Sequence, residues 1–187
     1  MDTQYARFGK LVEELLVNKK MDDLGPGKPN YSIQGRLRQL NPEDLFPNQN
    51  IKNKEMAKCC LSGLWLYHDF LDESHTISQQ IPTRSGSYWH GIMHRREPDA
   101  SNAKYWFRRV EEHPIFPDLL KKAKQIGGNY DKSPQFLKQN EKWDPFAYID
   151  WVEETRDTQT PAAPLCQQIQ QMEWILLFDY CYNRAIK

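Results

Sequence analysis

The stretch Ser87-Tyr88-Trp89-His90-Gly91-Ile92-Met93-His94-Arg95-Arg96-Glu97-Pro98-Asp99-Ala100-Ser101-Asn102-Ala103-Lys104-Tyr105-Trp106-Phe107-Arg108-Arg109-Val110 decides how the chain is read. At about 100° per residue, its first half gathers Tyr88, Trp89, Ile92 and Met93 into one apolar sector. Its second half sets Ala103, Trp106, Phe107 and Val110 on a single stripe, which reads as core. Pro98-Asp99 leaves only a short connection, and helices joined so closely are antiparallel neighbours. The stretch therefore predicts a helical hairpin.

Helical periodicity continues on both sides. Residues 3–19 place Tyr5, Phe8, Leu11, Val12, Leu15 and Leu16 on one stripe. The pattern predicts one helix over 53–79, a second over 87–96 and a third from 99 or 101 to 112. Pro117, Ser133-Pro134 and Asp144-Pro145 signal later starts, and Gly127-Gly128 signals a stop. Residues 165–185 read as a final helix, preceded by a linker over 157–164. Between 20 and 52, Gly25, Pro26, Gly27, Pro29, Pro42 and Pro47 predict a long irregular segment, relieved by a turn of helix after Asn41-Pro42. Strand-like alternation is nowhere sustained. The expectation is one irregular all-α domain over 1–187, with six to eight helices around a central antiparallel hairpin.

Composition narrows the function classes. Lys and Arg total 25 and balance 25 Asp and Glu, so the basic excess of a nucleic-acid or anionic-membrane binder is missing. The Lys121-Lys122 cluster reads as a solvated face. Apolar runs such as 61–71 and 174–178 are too short and interrupted to span a bilayer. No basic, apolar, small-residue succession opens the chain, so no secretory signal is expected. Cys59-Cys60, Cys166 and Cys181 show no zinc-ligand spacing and read as reduced, buried thiols of a cytoplasmic protein.

All five histidines fall between His68 and His113. On a continuous helix over 53–79, Leu61, Leu64, His68, Leu71 and His75 share a face, with Asp72 at its border. Histidines there project from apolar surroundings and are expected to be buried and hydrogen-bonded. Seven residues separate His68 from His75, about 10.5 Å along the axis and too far to ligate one metal together. Asp72 and His75, three apart, are close enough.

His90, His94 and Glu97, at offsets of four and three, also share a face. Two histidines and a carboxylate so placed suit Zn²⁺ or non-haem iron with positions left open for water or substrate. The helical zinc-protease motif needs Glu after its first His, and Gly91 stands there, so that mechanism is not supported. Arg95 and Arg96, with Asn102, Tyr105, Arg109 and His113 on the next helix, form a candidate patch for phosphate or carboxylate; ion pairing to neighbouring acids is the competing reading.

Gly91, Ala103, Phe107, Val110 and Pro114 resemble one unit of the tetratricopeptide class of helical hairpins. No second copy follows at a fixed period, so the resemblance implies a hairpin and not a solenoid. Tyr88-Trp89-His90-Gly91-Ile92-Met93-His94-Arg95-Arg96-Glu97-Pro98-Asp99, with Asn102 to Arg109 and His113-Pro114, resembles a microbial all-helical family without an assigned activity. It implies no catalytic residue.

Three functional readings follow. One is a pocket for a small molecule or anion lined by His68, Asp72, His75, His90, His94, Arg95 and Glu97. Another is a metal-dependent hydrolase or oxygenase, with Zn or Fe held by His90, His94 and Glu97. The third is an interaction scaffold for a protein partner. The first two require the two sets of histidines to converge across a helix interface.

Overall fold

Why the chain turns where it does is clearest at residues 68–70 of the computed structural model, which describes residues 3–17, 23–128, 130, 133–158 and 160–187. A 3-10 helix over Thr3–Phe8 runs into α1 (Lys10–Leu16), and α2 covers Tyr31–Arg38. The helix expected over 53–79 is two helices, α3 (Lys54–Tyr67) and α4 (Leu71–Ser78). Asp69 takes φ 64°. Its N–H reaches Leu66 O and that of Phe70 reaches Trp65 O, at 3.1 and 3.0 Å. Together these form a Schellman stop, closed by Phe70 edge-on to Trp65 at 5.2 Å. Glycine or asparagine usually marks such a stop, so aspartate gave the sequence pattern no warning. The left-handed residue is held from outside: the buried Arg96 ion-pairs with Asp69 and donates to Leu66 O at 2.8 Å.

The hairpin is α5 (Arg84–Arg96) and α6 (Ala100–Val110). Helix α5 begins earlier than expected because Thr83 caps it, accepting from the Gly86 N–H at 3.0 Å. Its remaining elements are α7 (Phe116–Gly127), α8 (Gln135–Gln139), α9 (Pro145–Thr158) and α10 (Ala163–Ile186). Ten α-helices thus occupy the described residues, and no strand does. The 20–52 segment is less irregular than expected, since it contains α2 and a 3-10 helix over Pro42–Leu45. Of the expected 157–164 linker, residues 157 and 158 belong to α9 and 163 and 164 to α10; residue 159, like 20–22, lies outside the described residues.

Helices α3, α5 and α10 supply the middle of one continuous apolar core. Trp174 of α10 is fully buried, stacks on Phe178 at 4.7 Å and donates its indole N–H to Gly63 O at 2.9 Å. At the hairpin crossing the Phe107 ring lies against Gly91, where a Cβ would come within 2.8 Å of it. Helix α5 is buried on every side from Ser85 to Arg96. A helix in that position normally carries apolar residues all round, yet this one brings His90, His94, Arg95 and Arg96 inside. Each therefore needs a partner. Among the described residues, no helix is long and apolar enough to cross a membrane.

Candidate metal centre

Those partners sort the polar residues of α5 into two sets. Arg95 and Arg96 face structural carboxylates. Arg95 donates to Glu173 of α10 at 2.5 and 3.3 Å, and Tyr88 donates to the same carboxylate at 3.0 Å. The guanidinium also lies 4.6 Å from the Tyr148 ring centre. Burial opposes its charge, but Glu173 outweighs that effect and holds the arginine firmly protonated. Arg95 is thus drawn into the core, away from the histidines, as is Arg96 at the Asp69 corner.

The histidines of α5 face α4. His90 and His94 approach each other Nε2 to Nε2 at 3.0 Å, and the His75 ring lies 4.5 and 5.5 Å from theirs. One ring nitrogen from each of the three lies within 4.8 Å of the others. The corner at Asp69 turns α4 back along α5 and delivers His75 to this place. His68 stays behind it: this buried residue contacts Leu15 O through Nε2 at 2.9 Å and Asn30 through Nδ1 at 3.3 Å. Asp72 is exposed and outside the cluster. His75 is half-buried, less enclosed than the apolar face predicted, and its ring makes no hydrogen bond among the described residues.

Hydrogen bonding narrows the protons to two arrangements. Ser78 Oγ lies 2.8 Å from Ser74 O and 3.0 Å from His90 Nδ1; when its hydrogen goes to Ser74 O, its oxygen accepts from His90 Nδ1. Glu97, half-exposed at the end of α5, accepts from His94 Nδ1 at 3.0 Å. In one of them both Nδ1 atoms are protonated, and the neutral rings turn two Nε2 lone pairs on one another. That pair of tautomers leaves a place for a cation between them; in the other pair, His90 Nε2–H donates to His94 Nε2 and the contact is an ordinary hydrogen bond. Burial, then the charges of His94 and His75, push His90 down to about 3, so its ring is neutral. Burial also lowers His94, against the pull of Glu97.

Metal bonds of about 2.0–2.1 Å set neighbouring imidazole nitrogens about 2.9–3.4 Å apart, depending on geometry. The 3.0 Å separation of the two Nε2 atoms falls in that interval. Glu97 bonds the outer nitrogen of His94, as carboxylates commonly do behind a metal-bound histidine. The three ligand candidates are thus His75, His90 and His94, with Ser78 and Glu97 behind them.

Trp106 is half-buried and lies on His90, ring centres 4.0 Å apart. Its helical stripe marked it as core, whereas it forms one wall of the histidine cluster. Ser78 carried no sequence signal as long as residues 53–79 were read as one helix. His113 is separate: it hydrogen-bonds Ser85 at 3.1 Å and lies at a cleft of about 1110 Å³ also lined by Phe116, Trp143 and Phe146. None of the seven expected pocket residues lines that cleft. Comparisons with protein-family models, curated proteins and solved structures found no significant match.

Proposed function

We propose that this chain is a small metal-dependent enzyme of hydrolytic type, holding one divalent ion through His75, His90 and His94. The observation that carries the reading is the 3.0 Å approach of two Nε2 atoms, with His75 beside them and the outer nitrogens against Ser78 and Glu97. Three neutral imidazoles are a zinc-type set that leaves a coordination position for water or substrate. The oxygenase alternative needs two histidines and a carboxylate on the iron. Glu97 is engaged with His94, and no carboxylate joins the cluster among the described residues. A bound ion would supply Lewis acidity to a substrate oxygen or to water. With the ion bound, Ser78 and Glu97 would accept from the two Nδ1 atoms and hold both Nε2 atoms towards it.

Metal analysis of the purified chain and calorimetric titration with Zn²⁺ test the reading. About one ion per chain is expected, with affinity reduced at least about tenfold in His75→Ala and in His94→Ala. Zinc binding that is absent, or indifferent to both substitutions, would refute it.

A further inference from the structure

Arg109 of α6 is the part of the sequence-predicted anion patch that folding leaves unused. Arg95 and Arg96 are consumed by Glu173 and Asp69, and His113 by Ser85. The side chain of Arg109 is exposed and has no carboxylate partner among the described residues. It is nevertheless fixed, because its guanidinium lies 5.1 Å from the centre of the Trp106 ring. That indole in turn lies 4.0 Å from His90. A cation is therefore held at the rim of the histidine cluster, one aromatic ring away from it. Its five donors are free to accept a carboxylate or phosphate in bidentate fashion.

Resting on the metal reading above, we propose that the ligand of this centre is an organic molecule with an acidic group at each end. One oxyanion occupies the open coordination position, and the other is bound by Arg109. Two observations favour a two-headed ligand over a simple anion. The guanidinium and the His90 ring each pack on the indole, 5.1 and 4.0 Å from its centre, so a ligand that meets both the metal and Arg109 has to reach past the Trp106 ring. The half-buried His75 and the exposed Arg109 leave the cluster open to solvent, so both ends of the ligand can be hydrated until they bind.

Co²⁺-loaded full-length protein provides the readout, since visible absorption reports any new ligand on the metal. Acetate and succinate are titrated separately. Two identical carboxylates alone give succinate a statistical advantage of about twofold, whereas an added Arg–carboxylate contact should raise it to about tenfold. Arg109→Gln should return the ratio to about twofold without altering the cobalt spectrum itself. Arg108→Gln, which removes an equal charge one residue away, should retain the tenfold ratio. An advantage no greater than twofold in the unsubstituted protein would overturn the proposal, as would a tenfold ratio surviving in Arg109→Gln. Failure to bind Co²⁺ at all would refute the centre itself, and this ligand with it.

Discussion

Replacing Glu173 by leucine should destabilise the protein far more than removing Glu173 and Arg95 together. Both side chains are about 1% exposed, and the carboxylate accepts from Arg95 at 2.5 and 3.3 Å and from Tyr88 at 3.0 Å. Glu173→Leu leaves a guanidinium in the core without its counter-charge, which costs about 3–5 kcal/mol. The stranded Tyr88 hydroxyl adds about 1 kcal/mol or more. A loss of about 4–6 kcal/mol is comparable with the entire stability of many domains. In Arg95→Met/Glu173→Leu the charge is gone and only the hydroxyl lacks a partner, so the loss should fall to about 1–2 kcal/mol. The guanidinium Nε already has no acceptor among the described residues, which lowers what the pair contributes and makes the apolar replacement easier to accommodate. Urea unfolding followed by the fluorescence of the six tryptophans measures all four corners of the cycle. A Glu173→Leu penalty below about 1 kcal/mol, or a double variant as unstable as that single one, would refute the reasoning.

Further consequences are open to direct measurement. Glu97→Ala should weaken zinc binding about 10–100-fold with the fold retained, because Glu97 is half-exposed and acts only through His94; unchanged affinity in calorimetry would contradict this. Burial, then the charge of Arg84, lowers His113 to about 4, so the unfolded chain takes up its proton first as the pH drops. His113 stabilisation is therefore complete above about pH 6.5 and lost progressively towards pH 4, by about 3 kcal/mol in all. His113→Gln should flatten the fall in stability between pH 6.5 and 5, and an unchanged slope in urea titrations would count against it. Gly91→Ala would place a Cβ 2.8 Å from the Phe107 ring and should cost about 1–3 kcal/mol, checked by thermal melting.

Legibility in the sequence followed periodicity. The hairpin and the final helix could be read because their apolar residues recur at helical spacing and their ends carry proline or short connections. The offset of four between His90 and His94 gave two of the three ligand candidates directly. His75 lies beside them in place of the expected Glu97, and the face it shares with His68 exists only on a single helix that the structure divides in two. What separates the two is a left-handed aspartate stabilised by Arg96, a residue 27 positions away. Local pattern cannot display a stop whose stabilising partner lies on another helix. The same limit hid the roles of Arg95 and Arg96, since Glu173 and Asp69 are remote in sequence, and of Trp106, whose stripe is shared by core and site wall.

The corner at residues 68–70 makes the histidine cluster intolerant of changes in chain length. One residue added or removed between Phe70 and His75 would swing the His75 ring about 100° around the α4 axis and slide it about 1.5 Å. The ring would then leave the α5 side, while α4 could keep most of its helical hydrogen bonds. The Asp69–Arg96 contact works in the same sense. Arg96 follows His94 by two positions on α5, so the residue that holds the turn belongs to the helix that supplies the other two imidazoles. Any shift of α5 along its axis carries the anchor of the corner with it, and the third histidine follows. Drift among close relatives of this chain should therefore accumulate as length variation elsewhere, while the spacing from Asp69 to Arg96 stays at 27.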